Sequence, residues 1–506
     1  MGTKVQNIYE LCKFSFFIFH FSIIFCTFVP DFVMAYSFKA YLPYYKRNLQ
    51  VAFPVMLTSL GAALVGLFDS IMVGHYGTAD LAAVSFSNAI FFTVMVFAMG
   101  AMMGLTPLVG HEVGRIEKRS SSPTLTDEDK EYIAEKQRKI ASLFANGTVF
   151  MVLLCVLSLG LLVPCIPHLD AFGQEPEVVA CARPYYILIV LSIVPFMLFC
   201  LFKQFLEGLG NTAVAMVITL GCNLLNIGLN WVFIFGHCGF PAMGAAGAGL
   251  ATLIARLLMP ICFLMAMLYR AEWRQLLQLI QRRMINRREI ENLIYIGTPI
   301  GLQTFVEAFL FTASFIIIGW ISKEALAAHH IANQMADMTF MIAQGIGAAT
   351  TIRVSHQLGK GDLLAVRMAS RASVHLCLLM NTIGAAIMIG FRHQIPYIFT
   401  EDPQVIPIAS TLLFIGGLFQ YADGMQCIGA SMLRGIQDVR VPMRIAVISY
   451  IGIALPLGIY LTFYASYGAA GMWAAFVIAL AIPAVLYHVR FHRQLNRLSQ
   501  KNRAFS

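Results

Sequence analysis

The sequence predicts an all-α membrane protein with twelve transmembrane helices in two six-helix lobes, and three observations support this fold class. First, 58% of the 506 residues are hydrophobic and only 12% are charged, whereas soluble domains carry about a quarter charged residues. Second, the apolar segments are continuous and about 20–28 residues long, which is typical of spanning helices and unlike barrel strands. Third, the second half of the chain repeats the first.

Twelve apolar segments long enough to cross a bilayer follow one another along the chain. We predict spans at 48–73, 82–111, 139–165, 178–206, 211–236, 246–270, 291–320, 326–357, 364–391, 404–432, 438–464 and 468–489. The polar connection between spans two and three is expected at 112–138. Residues 1–38 form a hydrophobic leader, and we expect Met34 or a nearby residue to be the true start.

Lys and Arg are concentrated in alternate connections. They lie after spans two, six, eight and ten and in the C-terminal tail at 491–506, whereas the other connections contain only Lys323 and Arg392. Cytoplasmic loops of membrane proteins carry such an excess of positive charge. We therefore predict that both termini are cytoplasmic, and we attribute the net charge of +9 to orientation rather than to nucleic-acid binding.

An internal repeat divides the chain. Residues 54–115 align without a gap onto 299–360, and the identical pairs include Pro54/Pro299, Asn88/Asn333, His111/His356 and Gly114/Gly359. Six spans per half is an even number, so both halves enter the membrane from the same side and are related by a pseudo-twofold axis along its normal. We expect an N-terminal lobe at 39–270, a cytoplasmic linker at 271–290 and a C-terminal lobe at 291–490.

Glu307 lies at bilayer depth within the span at 299–320. Placing an ionised acid there costs a few kcal/mol, so such a residue usually faces a protein interior or an aqueous cavity. Repeats of this kind are typical of secondary transporters, and the sequence contains no Walker A motif for nucleotide binding. The simplest interpretation of Glu307 is a cation or proton site.

Several motifs carry a resemblance to a known family. They are FDSIMVGHYG (68–77), CNLLNIGLNWVFIFG (222–236), MGAAGAGLAT (243–252), FVEAFLF (305–311), LAAHHIANQ (326–334) and FQYADGMQCIGASMLRGIQDVRVPM (419–443). Together they resemble the MATE family of multidrug and toxic compound extrusion transporters, in particular its NorM-type branch. The resemblance implies a cation- or proton-coupling set whose members are Asp69, Asn226, Asn230, Thr252, Glu307 and Asp423.

Span eight departs from the family pattern, because this chain has His329-His330 where the family usually has His-Gln. We expect His330, Gln334 and Asp337 to line the substrate cavity. The histidines lack partners at metal-ligand spacing, so no metal site is expected.

The function implied is antiport of Na⁺ or H⁺ against amphipathic, often cationic drugs by alternating access. An exporter of a specific endogenous metabolite or a lipid-linked substrate on the same fold is the alternative. We expect no catalytic residues, no resident cofactor, a monomer, and a multi-pass protein of the bacterial inner membrane. The residues do not distinguish Na⁺ from H⁺, since carboxylates and amides serve both.

Overall fold

The computed structural model describes residues 37–122 and 125–504, in which the regular structure is helical. The first half contains α1 (Phe38–Tyr76), α2 (Thr78–Ser120), α3 (Asp127–Cys165), α4 (Pro176–Leu191 and Ile193–Gly208), α5 (Thr212–Phe235) and α6 (Gly244–Tyr269). The second half contains α7 (Arg287–Gly319), α8 (Lys323–Lys360), α9 (Leu363–Gly390), α10 (Val405–Gly435), α11 (Arg440–Tyr464) and α12 (Ala469–Ala504). The predicted start at Met34 lies outside the described residues, as does the leader up to residue 36.

Among the described residues, ten of these helices are long and apolar enough to cross a membrane, and the two segments of α4, bent by 40° at Ser192, make an eleventh span. The twelfth, α8, has 38 residues but is too polar to qualify by composition. It packs against α1, α2, α9 and α10. Since neighbouring helices cover much of α8, its surface does not have to be as apolar as lipid. With α8 included, the twelve predicted helices are present.

The polar connection between α2 and α3 is shorter than the predicted 112–138. α2 continues to Ser120 and α3 already begins at Asp127. Thr126 starts α3 with a capping box, in which its hydroxyl accepts from the Asp129 N–H at 3.2 Å and the Asp129 carboxylate accepts from the Thr126 N–H at 3.2 Å. These bonds satisfy donors that a helix start leaves unpaired, so the polar residues extend the helix beyond the apolar run.

Two turns of α11 are π-helical, at Ile448–Ala454 and Tyr460–Tyr464. π-turns are rare and are frequent at functional sites. The first one contains Tyr450, whose side chain is fully buried. It therefore changes the direction in which α11 presents side chains next to the acids described below.

The two halves meet at the end of the bundle that carries the basic connections, which we call the inner end. There the His356 ring on α8 is hydrogen-bonded through Nε2 to the Gly208 carbonyl at 2.8 Å, and Lys360 pairs with Glu117 at 2.7 Å. Asn48 donates to the Ala369 carbonyl at 2.9 Å. These contacts join α4, α2 and α1 of the first half to α8 and α9 of the second.

A repeat-related glycine pair allows α2 and α8 to approach closely at this inner end. A Cβ atom added at Gly114 would lie 3.0 Å from the Cα of Gly359, and one added at Gly359 would lie 3.0 Å from the Cα of Gly114. Real Cβ atoms rarely approach other atoms so closely. The inner end is therefore closed by backbone-to-backbone packing as well as by polar contacts.

The opposite, outer half of α1 is packed over much less of its surface. Between positions 62 and 71 the exposed residues are Ala62, Leu64, Gly66, Leu67, Phe68, Ser70 and Ile71. At 100° per residue they span about 240°, roughly two thirds of the helix circumference. A helix that touches only lipid on its free side would expose a narrower arc. The exposed arc of α1 is thus wider than contact with lipid alone would require, as expected for a helix that also borders a cleft.

Candidate functional site

The first half of the chain contains a polar cluster centred on Asp69 of α1. The Asn230 amide of α5 donates to Asp69 Oδ1 at 2.5 Å. The Asn226 amide donates to the same oxygen at 3.2 Å when its nitrogen faces the carboxylate. Asn226 and Asn230 are 4% and 0% exposed, so both amides act on the acid in a water-poor setting.

The spacing of the two asparagines explains why they share one partner. Residues four apart lie on the same helix face, and α5 packs along α1. The α5 helix is started by Asn211, whose side chain accepts from the Val214 N–H at 3.2 Å. Thr252 of α6 adds its backbone N–H, which lies 3.3 Å from the Asn226 amide oxygen in the same orientation. Thr252 thus reaches the cluster through its backbone.

A cation lies close to this cluster. The Arg256 guanidinium on α6 is within electrostatic range of Asp69 and donates to the Ser192 hydroxyl at 2.7 Å. It also lies over the rings of Phe91 and Phe196, at 4.9 and 4.7 Å from their centroids. The aromatic faces and the hydroxyl stabilise a charge that would be costly at this depth, so Asp69 has a cation within electrostatic range.

The second half of the chain builds a different cluster around Glu307 of α7. The Gln426 amide on α10 donates to Glu307 Oε1 at 2.6 Å, and the Tyr450 hydroxyl on α11 donates to Gln426 Oε1 at 2.8 Å. Gln426 and Tyr450 are 1% and 0% exposed. Three helices are therefore linked in one hydrogen-bonded chain that ends on the carboxylate.

Asp423 lies on α10, three residues before Gln426, and is 3% exposed. Among the described residues its Oδ1 atom has no hydrogen-bond partner. It is within electrostatic range of two other acids, Glu307 and Asp337. A buried carboxylate oxygen without a partner is costly, and neighbouring like charges add to that cost. This group needs a cation or a proton to be stable.

The residues of α8 divide between two faces of the helix. His330 and Asp337 are exposed, Gln334 is half-buried, and Asn333 donates to Asp337 Oδ2 at 2.9 Å. His329 is fully buried and points elsewhere, as adjacent helical positions require. The polar face of α8 therefore carries the three residues predicted for the substrate cavity, and its Asp337 extends this face toward Asp423.

The structure adds residues that were not predicted for the site. Gln426 lies three residues after Asp423 on α10, and that helical spacing alone could have indicated a shared face. Arg256 lies four residues after Thr252 on α6, so the same spacing could have indicated it. Tyr450 had no such signal, because it acts across a helix–helix contact. The clusters together offer carboxylate, amide and hydroxyl oxygens, which are the ligands of hard cations, and carboxylates that can instead hold a proton.

Comparison with known proteins places these clusters in a family context. The MatE family model matches residues 54–125, 130–232 and 299–460, which is well over half of the chain. These segments include Asp69, Asn226, Asn230, Glu307 and Asp423.

Two curated relatives match over nearly their whole length. The probable multidrug resistance protein NorM of Rhizobium meliloti is 31% identical over 478 residues, covering 94% of this chain and 98% of the relative. The multidrug resistance protein PmpM of Pseudomonas aeruginosa is 30% identical over 466 residues, covering 90% and 93%.

Solved structures show the same fold. The Vibrio cholerae MATE transporter VcmN in its bent form has a TM-score of 0.77 at 17% identity, covering 91% of this chain and 99% of the other. The eukaryotic MATE transporter AtDTX14 has a TM-score of 0.76 at 17% identity, with the same coverage. At this identity the likeness concerns the fold.

Proposed function

Because the chain belongs to the MatE family, we propose that it is a multidrug efflux transporter of the cell membrane, driven by the entry of Na⁺ or H⁺. Its substrates are small amphipathic molecules, often cationic, as the names of its multidrug-resistance relatives suggest. The basic inner end faces the cytoplasm, and the bacterial relatives favour the inner membrane. The protein acts as a monomer with an N-terminal lobe at 39–270 and a C-terminal lobe at 291–490, and the coupling ion is cargo rather than a cofactor.

One observation supports cation coupling above the others. Within the described ranges, one carboxylate oxygen of Asp423 has no hydrogen-bond partner, and this acid lies near Glu307 and Asp337. Entry of a cation or a proton would neutralise this group of acids. A ligand shifts a conformational equilibrium only by its differential affinity for the two states. A group of acids that lacks a neutralising ion in one state can bind that ion more tightly in this state than in the other, which provides such a difference in affinity.

The arrangement of the halves supports alternating access. The inner end is closed by contacts such as His356 with Gly208 and Lys360 with Glu117, and the outer half of α1 borders a cleft. In this outward-facing form the acids receive Na⁺ or H⁺ and the drug leaves. The return step requires the inner contacts to separate while the outer cleft closes, with the lobes moving against each other.

Efflux from proteoliposomes tests the proposal and identifies the ion. Purified protein is reconstituted, vesicles are loaded with ethidium, and an inward Na⁺ gradient or an inward pH gradient is applied in separate samples. We expect one gradient to drive ethidium against its concentration gradient, and ionophores that dissipate it to stop transport. Transport that needs neither gradient would contradict ion coupling. Loss of all ethidium transport in active vesicles would favour a specific endogenous substrate instead.

A further inference from the structure

A groove of about 220 Å³ lies between the inner ends of α11 and α12, away from the acid clusters. Its walls combine two kinds of side chain. Val441 and Ile445 of α11 and Leu486 of α12 are apolar, whereas Arg493 and Arg497 of α12 are cationic. No part of the proposed transport cycle uses this groove.

The chemistry of the groove changes in one direction along α12. Leu486 lies toward the middle of the helix and Arg497 lies eleven residues later, which is about 16 Å along the axis. Leu486, Arg490, Arg493 and Arg497 recur at helical spacing on one face. The groove therefore passes from an apolar section toward the bilayer to a cationic section at the membrane surface, as a phospholipid passes from acyl chain to headgroup.

The charges of the groove are only partly balanced. Arg490 is held by Asp438 through two hydrogen bonds, at 2.7 and 3.1 Å, and Gln494 donates to the same carboxylate at 3.0 Å. Arg493 and Arg497 are exposed, and among the described side chains neither has an acidic partner.

Several other basic residues at the inner end are paired with acids. Lys360 pairs with Glu117, Lys139 with Glu289 and Arg119 with Asp129. The groove thus keeps two exposed guanidinium groups that no described acid pairs with.

We propose that this groove is a binding site for one anionic phospholipid of the cytoplasmic leaflet. The Arg493 and Arg497 guanidinium groups bind the phosphate, for which the planar guanidinium is well suited, and an acyl chain lies along Ile445 and Leu486. Basic pockets between helices at a cytoplasmic surface are the usual form of such sites. The lipid is a resident ligand rather than a transported substrate, and the inference rests on the proposed orientation of the chain.

Native mass spectrometry of the purified full-length protein tests this site, with phosphatidylglycerol as the probe and phosphatidylcholine as the zwitterionic control. The test variant is Arg493→Gln/Arg497→Gln. One charge near an anionic surface changes binding about five-fold, so the double variant is expected to weaken the tightest phosphatidylglycerol site about thirty-fold. The matched variant Arg274→Gln/Arg288→Gln removes two exposed charges elsewhere on the linker side and is expected to leave that site unchanged.

A second pair of variants tests the apolar section of the groove without changing its charge. Ile445→Trp fills the apolar section while both arginines remain, and it is expected to weaken phosphatidylglycerol binding. Ile451→Trp, on the same helix at a position that is 44% exposed and outside the groove, is expected to have no effect. Because these variants keep the net charge, they would not change a purely non-specific attraction.

Three outcomes would overturn the proposal. Equal loss of phosphatidylglycerol in both double-arginine variants would mean general surface charge only. Unchanged binding in both Arg493→Gln/Arg497→Gln and Ile445→Trp would show that the tight site lies elsewhere. We expect that inorganic phosphate does not displace bound phosphatidylglycerol. If phosphate displaced the lipid as effectively as added phosphatidylglycerol does, the groove would be an anion site without a lipid role.

Discussion

The two halves of the molecule each contain a buried acid cluster, but they balance its charge differently. In the first half, Asp69 is bound by Asn230 and lies near Arg256, which supplies a permanent positive charge. In the second half, Glu307 and Asp423 lie near each other, and an oxygen of Asp423 has no partner among the described residues. Each cluster has one cation within electrostatic range, since Arg434 acts on Glu307 as Arg256 acts on Asp69. The halves therefore differ in that the second places two acids next to each other, whereas the first contains one.

The repeat shows that the shared backbone does not determine where the acids lie. Asp69 aligns with Ser314, whose hydroxyl lies 3.0 Å from His329 Nε2, while the Trp473 indole donates to His329 Nδ1 at 3.0 Å. Glu307 aligns with Ala62. At each position where one half has an acid the other half has a neutral residue, so the two lobes share helices and differ in chemistry.

The largest expected effect is in the second half. Glu307→Gln and Asp423→Asn keep the size of each side chain but remove the charge that a coupling ion neutralises. We expect each to lower ion-driven ethidium efflux more than ten-fold at unchanged protein level, measured in proteoliposomes. Asp423→Asn is also expected to raise the thermal unfolding temperature, because it removes a buried, unpaired charge. Normal efflux in both variants would show that the coupling site lies elsewhere.

Asp69→Asn is expected to have a smaller effect, because Asp69 is a single acid hydrogen-bonded by Asn230, whereas Glu307 and Asp423 act on each other. The new amide would meet the Asn230 donor, which disturbs the local hydrogen bonds while leaving the second cluster intact. We expect efflux to fall several-fold with the same ion dependence. A loss as complete as that of Asp423→Asn, measured in parallel, would break the distinction between the halves.

Two asparagines of α5 form a matched pair for measuring the first cluster. Asn230→Ala removes a hydrogen bond to a carboxylate and is expected to destabilise the protein by about 1.5–3 kcal/mol. The Asn223 amide nitrogen is buried without a partner among the described residues, so Asn223→Ala is expected to be neutral or stabilising. Thermal unfolding in detergent measures both, and equal destabilisation would contradict this account of Asp69.

The smallest effect concerns the hydroxyl of Tyr450. Tyr450→Phe removes its bond to Gln426 and is expected to cost about 1 kcal/mol and to raise the ion concentration for half-maximal efflux, because Gln426 positions Glu307. Tyr460→Phe on the same helix, where the side chain is 58% exposed, should change stability by less than about 0.5 kcal/mol. An unchanged ion dependence in Tyr450→Phe would limit its role to packing.

Much of the first cluster could be anticipated from the sequence, whereas the second could be anticipated only in part. Asn226 and Asn230 share a face through their spacing on one helix, a local relation. Gln426 was close to Asp423 in sequence, but its partner Glu307 is 119 residues away. Tyr450 lies in a π-turn, which changes the facing of α11 in a way that ordinary helical periodicity does not predict.

The helix boundaries show the same division. Apolarity predicted the spans, but it did not predict that α3 already begins at Asp127. This start depends on the capping box of Thr126 and Asp129 rather than on contact with lipid. The predicted span at 326–357 corresponds to α8, which is too polar to qualify by composition and packs against α1, α2, α9 and α10.

By itself the sequence determined that the chain is a bundle of membrane helices in two related halves, because a backbone in lipid must satisfy its own hydrogen bonds and long apolar runs can do so only as helices. It also determined which acids lie at bilayer depth. Only the tertiary structure decided which cation lies near which acid, that one oxygen of Asp423 has no partner in the described part of the chain, and that α11 and α12 enclose a basic groove. Lipid is as apolar as the helix surfaces, so the hydrophobic pattern does not specify which faces meet; packing and polar contacts between distant residues do.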